Sequence, residues 1–515
     1  MTERVRLTLG GRHVEADADA SLLAALWNHG VRAVRTSVSG AGRGPLCAMG
    51  TCFECRVTVD DEPHVRACLT PVREGMTVAL DTSAPGPSAR APGNAAPLEA
   101  QVVVVGGGPA GLAAALHAAE AGARTLLVDT NARPGGQIWR HRGEPPRAAL
   151  AWLARFARSG ASAVTGATVV DATERELLIE DAGRACRVRF ERLVLATGAR
   201  ELFLPFPGWT LPGIVGVGGA QALVKAGASV AGRRVVVAGS SPLLLAVAAA
   251  LAAAGARIVG VAEQAPLGRL LAFGASLWRT PSKIAEGLGY AARIAGARYR
   301  AGAWVREAEE RGGSLRATLT DGRRDWTWDC DVLATGYGLV PNLELPRLVG
   351  CEVREGRVVT DRTQQTSLAR VYAAGELAGI AGVEHALWSG AVAGTAAAGR
   401  EVPVASMSRR DRELAFAVRL ERAFAPREEL RRLPRSDTLV CRCEDVGYGR
   451  LEGFASAREA KLATRAGMGA CQGRVCGPAL GFLHGWEDGS VRAPLTPVPL
   501  GVLEGETAER GSAGR

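Results

Sequence analysis

The stretch that decides the fold reads VVVVGGGPAGLAAALHAAEAGARTLLVD and runs from Val102 to Asp129. Four β-branched residues predict a short buried strand, an alanine-rich helix follows the glycines, and a second apolar strand ends on Asp129. The glycines form the pattern G-x-G-x-x-G at Gly106, Gly108 and Gly111, and Asp129 lies 23 residues after the first of them. This order of strand, glycine turn, helix and acid predicts a dinucleotide-binding β-α-β unit, in which Asp129 accepts a hydrogen bond from a ribose hydroxyl.

Each glycine of this turn has a steric role. Gly106 permits the tight turn, Gly108 lets a pyrophosphate approach the backbone, and Gly111 lets helix and strand pack closely. Pro109 and Ala110 belong to the same candidate site because they open the helix, whose free N–H groups and dipole favour a bound phosphate. The alternative is a glycine-rich turn that binds nothing.

Composition narrows the class of protein. The 515 residues include 65 glycines and 47% hydrophobic residues, which suits an α/β fold of about three or four domains. The net charge of +10 is scattered, without a dense basic block, so we expect no nucleic-acid surface, while docking of an acidic partner stays open. Apart from alanine-rich helices that fit the α/β pattern, no apolar run predicts a transmembrane segment, and the N-terminus does not read as a signal peptide. We therefore expect a cytoplasmic protein.

Four cysteines near the N-terminus have the spacing C-x4-C-x2-C-x12-C: Cys47, Cys52, Cys55 and Cys68. Three lie on one loop and the fourth follows a short hairpin, so four thiolates can converge as a [2Fe–2S] cluster requires. Zinc binding, or cysteines that bind nothing, are the alternatives. The pattern resembles plant-type ferredoxin domains in their short-spacing form, which implies a β-grasp domain over residues 1–82, followed by a linker over residues 83–97.

Later segments extend the first dinucleotide unit. They are the turn NARPGGQIWR, the strand LVLATGAR and the segment RVYAAGELAG. Together they resemble the two-dinucleotide flavoproteins of the glutathione-reductase type, and the resemblance implies an FAD-binding domain in two parts, residues 98–228 and 346–400. The FAD-binding candidates that these segments add are Gly136, Gln137, Thr197, Gly198, Gly375 and Glu376.

A second β-α-β unit is inserted between the two parts, over residues 229–345. Gly239 holds the first glycine position, but Ser241 and Leu244 replace the second and third, which narrows the approach to a phosphate and pushes the helix from the strand. Glu263 stands where a ribose-binding acid would, which favours NAD over NADP. Gly239 and Glu263 are therefore candidates for NAD, against the alternative of a retained scaffold that binds no nucleotide.

A second cysteine quartet lies near the C-terminus, with C-x-C and C-x4-C pairs: Cys441, Cys443, Cys471 and Cys476. It resembles the bacterioferritin-associated-ferredoxin-like domains of several flavoprotein dehydrogenases, although those often close with C-x2-C. We expect a second [2Fe–2S] cluster, with zinc as the alternative, in a small α-rich domain over residues 437–500. A helical connector (401–436) precedes this domain, and a polar tail (501–515) follows it.

Over nearly its full length the chain resembles the alpha or A subunits of the opine oxidase, D-hydroxyproline dehydrogenase, hydrogen cyanide synthase and heterotetrameric sarcosine oxidase group. The most specific pieces include FPGWTLPGIVGVGGAQALVKAG, CRCEDV and TRAGMGACQGRVC. The resemblance implies a partner beta subunit with a D-amino-acid-oxidase fold, which oxidises the C–N bond of a secondary amine or imino acid. This chain, an FAD-dependent oxidoreductase subunit, would pass electrons between FAD, two clusters and an external acceptor.

Two other functions compete with this hypothesis. A self-contained NAD(P)H:acceptor flavin oxidoreductase would bind nicotinamide at the inserted unit, and a scaffold with dead sites would bind no cofactor. A disulfide reductase is disfavoured because the one C-x2-C pair, Cys52 and Cys55, belongs to the first quartet. No catalytic residue is assigned from the sequence.

Overall fold

The computed structural model of the chain describes residues 3–80, 94–487 and 490–503. Most of the predicted linker and of the predicted tail lies outside these residues. The chain divides into two compact units, each built from three segments. Unit 1 comprises Met1–Gly86, Glu201–Leu339 and Arg419–Asp488, and unit 2 comprises Pro87–Arg200, Val340–Val418 and Gly489–Arg515.

The α-helices of the described residues are α1 (Leu22–Asn28), α2 (Pro109–Glu120), α3 (Arg147–Arg158), α4 (Val217–Lys225), α5 (Leu243–Ala253), α6 (Leu267–Ser276), α7 (Pro281–Arg293), α8 (Glu344–Leu348), α9 (Gly382–Ala397), α10 (Val404–Phe424), α11 (Ala457–Thr464) and α12 (Cys476–His484). Within the described part of the chain, no helix combines the length and the hydropathy needed to cross a membrane.

The strands are β1 (Arg4–Leu9), β2 (Arg12–Asp17), β3 (Arg35–Thr36), β4 (Gly42–Arg43), β5 (Arg56–Val59), β6 (Glu62–Arg66), β7 (Met76–Ala79), β8 (Leu98–Val105), β9 (Thr125–Asp129), β10 (Ser162–Thr165), β11 (Thr168–Ala172), β12 (Glu176–Asp181), β13 (Arg184–Leu195), β14 (Ala199–Glu201), β15 (Ile214–Gly216), β16 (Arg234–Gly239), β17 (Arg257–Glu263), β18 (Arg298–Ala301), β19 (Trp304–Arg311), β20 (Ser314–Thr320), β21 (Asp325–Cys330), β22 (Val332–Gly336), β23 (Leu339–Pro341), β24 (Val353–Arg354), β25 (Arg357–Val358), β26 (Val371–Ala373), β27 (Leu439–Cys441) and β28 (Val446–Gly447).

Unit 2 is built on a seven-stranded sheet in the order β10-β9-β8-β13-β12-β11, with β26 paired to the end of β13. Strands β8, β9, β10, β13 and β26 are parallel to one another, whereas β12 is antiparallel to β13, so the carboxyl ends of these five strands meet at one edge. Residues 102–104 of β8 are fully buried, as expected for a parallel strand covered on both faces. The run of valines in the sequence thus forms the centre of the sheet.

Helices α2 and α9 pack against each other in unit 2 through small residues. A Cβ on Gly390 would lie 2.1 Å from the carbonyl oxygen of Ala110, and one on Gly394 would lie 2.1 Å from that of Ala114. The two backbones therefore approach more closely than any side chain at these glycines would permit.

The described residues of unit 1 form three sheets of three or more strands. The N-terminal sheet has the order β2-β1-β7-β5-β6, and α1 buries Leu22 to Trp27 within the same core. A five-stranded parallel sheet has the order β15-β22-β16-β17-β18, and β19-β20-β21 form an antiparallel sheet. The predicted α/β class is confirmed.

The division between units differs from the predicted boundaries at 228/229 and 345/346. It falls at 200/201 and 339/340, because β15 pairs with β22 and so joins residues 214–216 to the inserted sheet. Residues 490–503 also group with unit 2, where Leu495 donates its backbone N–H to Val170 and Val502 is buried against the same strand.

Substitution of Gly394 tests the packing of α2 on α9. Gly394→Ala is expected to lower the free energy of unfolding by about 1–3 kcal/mol, because the new methyl group meets a backbone oxygen that cannot move aside. The matched control is Gly274→Ala in α6, where a Cβ would have no atom within 4 Å. The control should raise stability by about 0.5–1 kcal/mol through lower backbone entropy. Equal effects of the two variants in chemical denaturation would contradict the close packing.

Candidate cofactor sites

The glycine turn after β8 forms the first candidate site, in unit 2. A Cβ on Gly106, which has a φ of +107°, would lie 2.2 Å from the carbonyl oxygen of Ala196, and one on Gly111 would lie 1.7 Å from that of Gly106. Both positions exclude every side chain. Gly108, the N-cap of α2, differs, because the nearest atom to a Cβ there is the Cα of Gly136 at 4.0 Å. The protein leaves the space above Gly108 open, as an approaching pyrophosphate requires.

Asp129 lies directly against this turn. Its Oδ1 accepts hydrogen bonds from the backbone N–H and the Nδ2 of Asn131, at 3.1 and 3.0 Å. Its Oδ2 is buried and has no hydrogen-bond partner among the described residues. Burial raises the pKa of Asp129, although the bonds from Asn131 oppose that shift. A buried carboxylate oxygen without a donor fits the ribose hydroxyl that the sequence predicts for this position.

A second glycine loop packs on the first. The backbone N–H of Gly135 donates to the carbonyl oxygen of Gly107 at 2.7 Å. A Cβ on Gly136, where φ is +59°, would lie 2.8 Å from the Cα of Gly108. The predicted residues Gly136 and Gln137 are thereby brought to the turn.

The segments that follow β13 and β26 arrive at the same edge of the sheet. A Cβ on Gly198 would lie 3.7 Å from Oε2 of Glu376, and one on Gly375 would lie 2.7 Å from the Cβ of Ala110. Burial raises the pKa of Glu376, and a hydrogen bond from the backbone of Ala199 opposes this. The structure therefore brings the predicted FAD-binding residues together, although they are spread over more than 250 positions of the sequence.

Two residues that sequence reasoning missed hold these loops in place. Asn342 donates from Nδ2 to the carbonyl oxygen of Thr197 at 2.8 Å and from its backbone N–H to that of Gly198 at 2.9 Å. The Thr197 hydroxyl donates to the carbonyl oxygen of Asn342 at 2.9 Å, so the Thr197 side chain helps to hold this loop in place. Ser389, fully buried in α9, accepts from the backbone N–H of Gly375 at 2.9 Å. The position of Asn342 shortly after β22 was visible in the sequence, but its partners were not.

The second glycine turn, in unit 1, has a different environment. A Cβ on Gly239 would lie 1.7 Å from the carbonyl oxygen of Gly336. Ser241 has a φ of +126°, a region that side chains rarely adopt. Glu263 accepts from the backbone N–H of Ser241 at 3.0 Å and from that of Ala265 at 2.8 Å. Burial raises the pKa of Glu263 to about 7 against these bonds. Both of its carboxylate oxygens are thus engaged within the protein.

Residues 424–427, which lie within the predicted connector, contact this second turn. The Ser240 hydroxyl donates to the carbonyl oxygen of Phe424 at 2.6 Å, and Gln264 Nε2 lies 3.3 and 3.2 Å from the carbonyl oxygens of Phe424 and Ala425. The backbone N–H of Arg427 donates to Gln264 Oε1 at 3.1 Å. We refer to residues 424–427 as the connector end. It forms hydrogen bonds with Ser240, which follows Gly239, and with Gln264, which follows Glu263.

The first cysteine quartet is buried in unit 1. The sulfurs of Cys47 and Cys52 are 3.1 Å apart, and the backbone N–H groups of Met49 and Cys52 point at the Cys47 sulfur at 3.3 and 3.4 Å. Burial disfavours a thiolate, but hydrogen bonds with Cys52, Thr51 and backbone amides lower the pKa of Cys47 to about 5. Burial and the hydrogen bond with Cys47 raise the pKa of Cys52, so within this pair the bond stabilises the thiolate of Cys47 alone.

The second quartet also meets as pairs. Cys441 ends β27 and makes a hydrogen bond with Cys476, the first residue of α12, which lowers the pKa of Cys441 to about 6. The hydrogen bond with Cys471, together with burial, raises the pKa of Cys443. Among the described residues, no group of three or more His, Cys, Asp and Glu side chains is arranged to hold a metal ion. Paired thiols fit a [2Fe–2S] cluster, in which each of the two irons takes two protein ligands.

Comparison with known proteins supports the core and the N-terminal domain. Residues 100–394 match the family described as pyridine nucleotide-disulphide oxidoreductase, and residues 2–83 match a 2Fe-2S iron-sulfur cluster binding domain. The chain is 35% identical over 462 residues to hydrogen cyanide synthase subunit HcnB of Pseudomonas aeruginosa, covering 78% of this chain and 98% of HcnB. It is 31% identical over 463 residues to the A subunit of opine oxidase from Agrobacterium tumefaciens, covering 78% and 91%.

A solved structure shares the fold over nearly the whole chain. L-proline dehydrogenase from P. horikoshii superposes with a TM-score of 0.70 at 19% sequence identity, covering 98% of both chains. The predicted flavoprotein core and N-terminal [2Fe–2S] domain are confirmed. The chain therefore belongs to the pyridine nucleotide-disulphide oxidoreductase family and, within it, to the group of alpha or A subunits that includes HcnB and its opine oxidase counterpart.

Proposed function

We propose that this chain is the FAD- and [2Fe–2S]-containing electron-transfer subunit of a hetero-oligomeric amine or imino-acid dehydrogenase or oxidase. The observation that carries the proposal is the contrast between its two nucleotide turns. The turn at Gly108 is open and has an unpartnered acceptor beside it, whereas the turn at Ser241 is bonded by the connector end. A flavin site in a chain with two cysteine quartets suits a relay fed by another subunit.

The residues of unit 2 would hold FAD. The N-terminus of α2 and the open backbone at Gly108 receive the pyrophosphate, and Asp129 accepts from a ribose hydroxyl. Glu376, whose carboxylate lies beside Gly198, would meet the ribityl chain or the phosphate region of the flavin, as the resemblance implies. When bound, the flavin exchanges two electrons and the clusters exchange one, which converts between the two kinds of chemistry.

Two clusters are proposed, one on each quartet. The first rests on the domain match over residues 2–83, and the second rests on the thiol pairs of Cys441 with Cys476 and Cys443 with Cys471. Zinc is the alternative occupant of each quartet. NAD at Gly239 and Glu263 is disfavoured because Glu263 and Ser240 already have partners in the chain.

The names of the relatives point to an assembly, since HcnB and the opine oxidase relative are both subunits of larger enzymes. We propose a partner subunit with a D-amino-acid-oxidase fold that oxidises a secondary amine or imino acid, together with an external electron acceptor. The cytoplasm stays the predicted compartment.

Reduction of the isolated chain tests the source of electrons. NADH added anaerobically to the flavin-loaded chain is expected to leave the flavin oxidised, because the connector end bonds to the nicotinamide-type turn. A proline-like or opine substrate should bleach the flavin once the partner subunit is present, and dithionite provides the control that the flavin can be reduced. Rapid bleaching by NADH alone would establish the self-contained oxidoreductase instead.

Gly108→Val tests the flavin site. The valine side chain is expected to fill the space of the pyrophosphate and to abolish FAD retention, measured as the ratio of flavin to protein after purification. Gly287→Val is the matched control, because a Cβ there has no atom within 4 Å and α7 lies in unit 1. A Gly108→Val protein with a full flavin complement would refute the assignment.

Cys52→Ser tests the first cluster. We expect it to remove one [2Fe–2S] signal in electron paramagnetic resonance and about two iron atoms per chain, and to leave the second signal in place. Cys186→Ser is the control, since this buried thiol lies outside both quartets and contacts the carbonyl oxygen of Ala96. Loss of neither signal, or of both in a folded protein, would contradict two separately bound clusters.

A further inference from the structure

A buried ion pair joins the loops that carry the two cysteine quartets. Glu54 lies between Cys52 and Cys55, and Arg442 lies between Cys441 and Cys443. Nε of Arg442 donates to Oε1 of Glu54 at 3.0 Å, and the two side chains are 1% and 0% exposed. Glu54 and Arg442, each of which lies between two cysteines of its quartet, are therefore in direct contact inside unit 1.

Arg35 completes a triad with this pair. Its Nη2 lies 2.9 Å from Oε2 of Glu54 and donates to the carbonyl oxygen of Arg442 at 3.1 Å. Arg442 in turn donates to the carbonyl oxygen of Trp209 at 3.1 Å and stacks over its ring at 5.0 Å. Burial lowers the pKa of Arg35, but the charge and hydrogen bond of Glu54, together with the charges of Cys443 and Asp445, raise it overall. Each charged group is thus held by several contacts at once.

Packing the two loops through this triad carries a large desolvation cost. Taking three charged groups out of water costs several kcal/mol per ion, and apolar residues of similar volume often stabilise a protein as well or better. Two guanidinium groups against one carboxylate also leave excess positive charge between two sets of thiolates. A second pair, Arg43 with Asp445 at 2.6 Å, already joins the same segments of the chain. Docking alone therefore does not explain the triad.

We propose that Glu54, Arg35 and Arg442 are positioning residues that hold the two clusters as one relay and set their reduction potentials. The inference rests on the proposed function, because it requires a cluster on each quartet. The triad fixes the distance between the loops through the Glu54–Arg442 contact. Its charges act on both clusters, because net charge and hydrogen bonding near the sulfurs govern the potential of such clusters.

The test uses full-length protein with variants of opposite charge effect. Arg442→Gln removes a positive charge and should lower the reduction potentials of both clusters, whereas Glu54→Gln removes a negative charge and should raise them. Both variants should also lose the magnetic interaction between the two reduced clusters in electron paramagnetic resonance. Arg442→Lys keeps the charge but not the planar fork, so it should restore the potentials more than the interaction. Iron content is measured for every variant.

Ser39→Ala is the control for docking alone. It removes the hydrogen bond from the Ser39 hydroxyl to Asp445, which joins the same segments, without any change of charge, and should leave potentials and interaction unchanged. Shifts in the same direction for Arg442→Gln and Glu54→Gln, or unchanged spectra at full iron content, would overturn the positioning role. If Arg442→Gln does not retain iron, Arg35→Gln makes the same comparison from outside both quartets. A native protein with about two irons per chain would instead refute the two-cluster function itself.

Discussion

The close approach of α2 to the end of β8 is the constraint on which unit 2 depends. The helix reaches the strand only because Gly111 places no side chain against the carbonyl oxygen of Gly106. The same absence of side chains at Gly390 and Gly394 lets α9 pack closely against α2. Because both contacts fix the helix, its free N–H groups are held at the edge where the parallel strands end. The site follows from this packing.

Local chemistry explains what the sequence could predict. Gly106, Gly111 and Asp129 lie within one β-α-β unit, so covalent spacing alone defines their geometry. The two quartets could likewise be recognised in the sequence, because their cysteines are close in the chain. The boundary after residue 228 was less accessible, because β15 has three residues and no periodicity marks it as part of the inserted sheet. The contacts of Asn342 and of Glu54 join residues 145 and 388 positions apart, and no local pattern encodes them.

The two nucleotide turns show how one topology can support different roles. Both follow a buried parallel strand and both exclude a side chain at the first glycine. They diverge at the second position, where Gly108 has an extended backbone with φ of −70° and Ser241 has φ of +126°. The acid differs as well, since Asp129 keeps a buried oxygen without a donor among the described residues and Glu263 has bonds to both oxygens. The sequence motif alone does not show these differences in backbone conformation and hydrogen bonding.

Through its hydrogen bonds with the connector end, the inserted domain binds a segment of its own chain. A tethered segment competes with any free nucleotide at an effective concentration that reaches the millimolar range for short tethers. A dinucleotide that bound near Ser240 would first have to release the bonds to Phe424, Ala425 and Arg427. Residues 428–440 connect this segment to Cys441, so the segment that such a dinucleotide would displace lies next to the second quartet along the chain.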